Sequence, residues 1–162
     1  MEDRRVESRE AVRAVLLTPE GKVLLIQAEE PASGFRLWLT PGGGMGPGEE
    51  PESCLRRELR EETGLEEFRL GPPLWIREHT FSWAGRRISQ RETYYLAETE
   101  WYEPTMKGNP EKVEIDAFVG FRWWTIPEIR GSNELFVPQR LGELLDDLIR
   151  HGPPPQPVRV GI

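Results

Sequence analysis

The sequence predicts an α/β fold, an α/β/α sandwich around a mixed β-sheet, from three observations. β-Branched and apolar runs come in pairs around turn residues in the segments 11–28 and 70–97. One acidic, strongly patterned helix lies between those pairs, and a leucine-spaced helix closes the chain. At 162 residues, with 37% hydrophobic content and six tryptophans, the chain can bury one core without disulfides or a structural metal.

The elements follow in order. Ala11 to Thr18 and Lys22 to Ala28 flank the turn pair Glu20-Gly21 and read as a hairpin. Trp38-Leu39 leads into the glycine-rich Pro41 to Gly48. A helix is expected over Pro51 to Thr63. Pro51 suits the first helical position, Glu50 and Glu52 complement the positive dipole end, and Gly64 can end it. Leu70 to Phe81 and Arg87 to Ala97 make a second hairpin around Trp83-Ala84-Gly85, and Glu98 to Ala117 is a long polar loop. Phe121 to Ile126 is an aromatic strand and Pro127-Glu128-Ile129 opens a helical turn. Leu141, Leu144, Leu145 and Leu148 keep helical spacing within Pro138 to His151. The chain is therefore read as one domain over 1–152 with a proline-rich tail over 153–162, for which no regular structure is expected.

A formal charge of -7 argues against a nucleic-acid polymer as partner, because gripping phosphates needs a basic surface. A polyphosphate can still be handled if divalent cations lie between the two anions. The lone Cys54 rules out an internal disulfide and fits a reducing compartment. Met1 to Glu10 holds no signal or transit peptide, and no apolar run reaches the roughly 18 residues of a membrane span, so a cytoplasmic location without a membrane partner is expected.

The chemistry lies in Gly43 to Leu65. Glu58, Glu61 and Glu62 are spaced i, i+3 and i+4 and share one helix face with Cys54, Leu55 and Leu59, whereas Arg56 and Arg60 project away. On a merely solvated face the acids would oppose the apolar stripe; here they adjoin it. Three like charges at that spacing repel, and a hard divalent cation is the economical compensation. The loop Gly42 to Gly48 is neither a Walker A loop nor a dinucleotide fingerprint, and no EF-hand loop occurs.

Loop and helix together resemble the Nudix box: G, five residues, E, seven residues, then R-E-U-x-E-E-x-G-U with U aliphatic. Gly43, Glu49, Arg57, Glu58, Leu59, Glu61, Glu62, Gly64 and Leu65 fill every fixed position, and Trp38 to Gly42 resembles the family's usual lead-in. The resemblance implies a Nudix-type α/β/α sandwich and a hydrolase that cleaves a diphosphate linkage in a nucleoside diphosphate derivative. It implies magnesium, or alternatively manganese, held by Glu58 and Glu62 with Glu49 and Glu61 assisting, and Arg57 pairing with Glu61. Family members differ in their general base. Glu103, Glu111, Glu114 and Asp116 are the candidates here, and Glu114 is favoured. Family members are often dimers, so the resemblance admits a homodimer.

The expected substrate-binding set is Arg36, Trp38, Gly43, Gly44, Gln90 and Glu92. Gln90 and Glu92 alternate onto the same strand face as Ile88, Tyr94 and Leu96, which is odd for a plain core face. Arg36, Arg77 and Arg91 are candidate phosphate clamps. Trp123 and Trp124 are expected in the core and Trp83 at an exposed hairpin tip. His79 and His151 lack partners at metal-ligand spacing and receive no role. The competing reading is a catalytically silent Nudix-fold nucleotide sensor, against which the complete set of box glutamates stands.

Overall fold

The computed structural model describes residues 6–30, 33–83, 86–106 and 117–162, without the side chains of Trp83 and Arg86. The strands are β1 (Val6–Leu17), β2 (Lys22–Glu29), β3 (Arg36–Leu39), β4 (Gly42–Gly44), β5 (Arg69–Trp83), β6 (Arg86–Glu98), β7 (Phe118–Thr125), β8 (Phe136–Val137) and β9 (Val158–Val160). The helices are α1 (Pro51–Thr63), α2 (Ile126–Gly131) and α3 (Leu141–His151).

The first hairpin departs from expectation. β1 and β2 pair only at Leu17↔Val23, immediately beyond the Thr18 to Gly21 turn. β1 instead runs parallel to β6 along its whole length and, at Ala11 to Arg13, antiparallel to β4. The reason is burial: Val12, Ala14 and Leu16 on one face and Ala11 and Val15 on the other are all within 1% of complete burial. A strand covered on both faces belongs at the centre of a sheet. β2 peels away to lie between β3 and β7. The sheet is thus two wings joined at the turn.

The helices cover opposite faces. Cys54, Leu55 and Leu59 of α1 pack with Val12, Ala14, Leu16 and Ala97. Leu141, Leu145 and Leu148 of α3, with Ile126 and Ile129 of α2, pack on the other face with Val15, Trp75, Tyr94 and Leu96. Residues 123 and 124 alternate across β7, so Trp124 enters the second cluster while Trp123 joins the first and donates its Nε1–H to the Tyr102 carbonyl. The α/β/α expectation holds.

α1 ends as its sequence requires. Gly64 adopts φ 79°, and its N–H returns to the Arg60 carbonyl in an αL closure, with the Leu65 N–H on the Leu59 carbonyl. A Cβ on Gly64 would also lie 2.7 Å from Thr105 Cγ2. α3 begins three residues later than the leucine spacing suggests, because Phe136–Val137 is drawn into β8 beside β3. The tail also carries regular structure. Its prolines end at Pro157, and Val158–Val160 adds a parallel strand to β5 at Trp75 to Arg77. A free sheet edge supplied the backbone partners that composition could not reveal.

Candidate active site

α1 brings its carboxylates against a wall of glycine. Glu58 and Glu62 are 5% and 8% exposed, whereas Arg56 and Arg60 face solvent. A side chain at Gly43 would put a Cβ 2.5 Å from Glu58 Oε1, so only glycine in β4 leaves room for that carboxylate. The Gly42 N–H donates to Glu62 Oε2 at 2.9 Å.

Arg57 is the hub of this side. It binds Glu49 through two parallel bonds, Nε to Oε2 and Nη2 to Oε1, both 2.9 Å, and reaches Glu58 at 3.1 Å and Glu61 at 3.3 Å. Pairing with Glu61, expected from the motif, is therefore its longest carboxylate contact, and the bidentate bond to Glu49 is the geometrically strongest. The Arg57 bonds, with the Gly46 N–H, lower the Glu49 pKa to about 2. Burial pushes the Cys54 thiol up to about 12, so this cysteine is an inert packing group.

On the other side of β4 lies a cavity of about 650 Å³. Glu62 and the glycines Gly42, Gly43 and Gly44 form one wall, and Ile26, Leu37, Leu39 and Phe118 make an apolar one. Its floor is the sheet face that continues the α3-side core: Arg9 and Arg13 from β1, Arg77, His79 and Phe81 from β5, and Ile88, Gln90, Glu92 and Tyr94 from β6.

The centre of the floor is Glu92, 2% exposed. Its Oε2 accepts from Arg13 Nε and its Oε1 from Arg77 Nη1, both at 2.6 Å. His79 Nε2 lies 3.0 Å from the same Oε1, but off the line of a hydrogen bond. Burial disfavours charge on Glu92, yet Arg13, His79 and Arg77 outweigh it and hold the carboxyl well below the usual range. Arg13 continues to the Thr40 and Gly42 carbonyls at 3.2 and 3.4 Å, so one chain of contacts links Glu92 through Gly42 to Glu62.

The structure brings Glu49, Glu58, Glu61, Glu62 and Arg57 together and sets Gly43, Gly44, Gln90 and Glu92 on the cavity. Arg36 is elsewhere, an exposed partner of Glu29 at 3.1 Å. Trp38 also leaves the cavity: it is 7% exposed in the core, edge-on to Trp124, with Nε1 donating to Glu134. Its neighbours Leu37 and Leu39 face the cavity, and strand alternation turns Trp38 the other way. Arg91 is exposed beside Glu78, and Glu103 is exposed. Glu111, Glu114 and Asp116 lie outside the described residues, as does the Trp83 side chain. Sequence reading overlooked Arg9 and Arg13 and gave His79 no role, yet all three line the floor. The signal was period-two spacing: Arg9, Ala11, Arg13 on β1 and Arg77, His79, Phe81 on β5 place polar groups on one face of otherwise apolar strands.

The four acidic groups offer the hard oxygen donors that magnesium and manganese take, beside a glycine cradle that a Cβ would fill. That donor set fits a divalent cation. Among the described residues no three His, Cys, Asp or Glu side chains are already converged as a ligand set. No described helix is long and apolar enough to cross a membrane.

The NUDIX domain family model matches residues 7–148. An RNA pyrophosphohydrolase of Gluconacetobacter diazotrophicus is 26% identical over 160 residues, spanning 90% of this chain and 94% of the relative. Among solved structures, a MutT NUDIX hydrolase from Burkholderia pseudomallei superposes with TM-score 0.59 at 26% identity, over 86% of this chain and 97% of that one. The NUDIX domain of Shewanella oneidensis NrtR, complexed with ADP ribose, superposes with TM-score 0.63 at 21% identity, over 90% of each chain.

Proposed function

The chain belongs to the Nudix family, as a Nudix hydrolase acting on pyrophosphate bonds, and from that premise we propose that it cleaves the diphosphate linkage of a small nucleoside diphosphate derivative with magnesium as cofactor. One observation carries the reading: Glu58 and Glu62 are buried against the glycine strand, with Glu62 on the wall of the cavity.

Glu58 and Glu62, assisted by Glu49 and Glu61, would hold the metal, magnesium first and manganese as the alternative. A divalent cation bound there neutralises diphosphate oxygens, orients a water and lowers its pKa. The chain's own residues do the remaining work. Arg57 fixes three of the four carboxylates from one side, and the Gly42 N–H fixes Glu62. Backbone at Gly43 and Gly44 allows a diphosphate to approach without side-chain obstruction. Glu114 is proposed as the general base; what supports it is that Met106 and Ala117, the described residues on either side of its segment, both line the cavity.

The substrates considered are (d)NTPs, NDP-sugars, ADP-ribose and dinucleoside polyphosphates. The names of the relatives add RNA as a substrate, but a net charge of -7 favours a small ligand over a polymer. A substrate panel with magnesium, scored by kcat/KM, tests the reading. Turnover of at least one diphosphate is expected, and E62Q should lower kcat by about two or more orders of magnitude with the fold intact. Tight binding of one nucleotide without turnover of any would replace this reading with the sensor. The cytoplasmic location and a homodimer belong to the same proposal; light scattering tests the second.

A further inference from the structure

One cation on the cavity is not used by the protein itself. Among the described residues Arg9, Arg13 and Arg77 are the arginines that line the cavity. Arg13 and Arg77 are committed to Glu92. Arg9 is exposed, and no described carboxylate pairs with it, although the chain holds 28 acidic against 21 basic residues. Arg60 and Arg87 are exposed too, but away from the cavity, Arg60 on the outer side of α1 and Arg87 on the face of β6 opposite Ile88 and Gln90.

The seat of Arg9 sets it apart. A Cβ at Gly44 would overlap its Nη2, Nε and Cζ, so the guanidinium lies directly over the β4 backbone. Glycine at 44 thus makes room for a cation, as glycine at 43 makes room for Glu58. An arginine that only keeps the surface soluble requires no glycine beneath it. The two glycines are consecutive, and both line the cavity with Glu62. A guanidinium is planar, always charged, and carries its N–H donors in a fork that matches two oxygens of one phosphate. The neighbouring carboxylates can only accept hydrogen bonds and repel an anion, so Arg9 offers phosphate oxygens the donors that the acidic wall lacks.

We propose that Arg9, seated on Gly44, is a substrate-binding residue that grips one phosphate of the diphosphate directly. This rests on the reading of the cavity as the substrate site of the hydrolase. Two measurements on the full chain test it: calorimetric titration with inorganic pyrophosphate in the presence of magnesium, and kcat and KM for the best substrate of the panel. R9A should weaken pyrophosphate by about tenfold or more, the scale of a lost charge-assisted hydrogen bond. It should raise KM by a similar factor and leave kcat within about threefold, the pattern of lost uniform binding. G44A keeps the arginine but fills its seat, and should weaken pyrophosphate by about threefold or more at unchanged Tm. R87A removes an equal charge from the opposite face of the sheet and should leave pyrophosphate affinity within about twofold. No pyrophosphate binding by the wild type, or an affinity unchanged in R9A, overturns the proposal and leaves Arg9 to solvent. An equal loss in R87A also overturns it, because net charge alone then accounts for the effect. Pyrophosphate binding that depends on Arg9, without turnover of any diphosphate, would sink the hydrolase reading alone. Turnover with binding indifferent to Arg9 would sink this proposal alone.

Discussion

The two sides of β4 are built on opposite charge plans. On the helix side one cation, Arg57, serves three carboxylates, Glu49, Glu58 and Glu61. On the cavity floor one carboxylate, Glu92, serves two guanidiniums, Arg13 and Arg77, with His79 alongside. The first arrangement gathers three carboxylates on one guanidinium beside a glycine wall; the second gathers two guanidiniums on one carboxylate under an apolar pocket. A diphosphate ester needs both, a cation-binding site at its anhydride and a neutral or cationic surface for the rest of the molecule. Three glycines separate them because a side chain at Gly43 would collide with Glu58, one at Gly44 with Arg9 and one at Gly42 with the β1 backbone.

The largest expected effect is on the floor. E92Q removes the carboxylate charge bound directly by the buried Arg77 and the partly buried Arg13 and should destabilise the fold by about 3 kcal/mol in urea unfolding. The pH dependence has a definite sign. The folded Glu92 carboxyl titrates well below its unfolded value, so its contribution is fully present above the unfolded carboxylate pKa of about 4 and is lost as pH falls toward the folded one. The stability gap between wild type and E92Q should therefore be constant near neutrality and narrow on acidification below about pH 4. A gap that widened there would reverse the assignment.

E62Q comes next, with the loss in kcat given above and little loss of stability. That contrast is the sharpest test of the two charge plans: floor substitution should cost stability, helix-side substitution turnover.

G43A should follow. Its Cβ meets only the far end of the Glu58 side chain, so the fold survives while the carboxylate is displaced. A fall in kcat of about tenfold or more, with an unchanged Tm, is expected, since an ångström-scale misplacement can cost up to about 10²-fold.

R36A is the smallest. Arg36 and Glu29 form an exposed pair away from the cavity, so stability should change by less than about 0.5 kcal/mol and kcat/KM not at all. A raised KM would restore Arg36 to the substrate site and place the ligand outside the described cavity.

Legibility divided along the same line as the charge plans. The helix side lies within 23 consecutive residues, and helical periodicity alone puts Glu58, Glu61 and Glu62 beside Leu55 and Leu59. The floor draws on β1, β5 and β6, with Arg13 and Glu92 separated by 79 positions. Period two marks Gln90 and Glu92 as unusual on an apolar face, but it cannot say which strands lie beside β6. The same limit explains the first hairpin: turn residues predicted that β1 and β2 adjoin, while burial on both faces of β1 gave most of its ladder to β6 and β4.

By itself, then, the sequence determined the longer strands, α1, the closing helix, the α/β/α class and the carboxylate face of α1, because these depend on local periodicity, capping and turn chemistry. Only the tertiary structure decided that β6 lies beside β1, that Trp38 turns into the core, that the tail adds a strand to β5, and that Glu92 binds Arg13 and Arg77 in the cavity floor. Those outcomes depend on which strand edges and side-chain charges meet after collapse, and long-range pairing of that kind leaves no periodic trace along the chain.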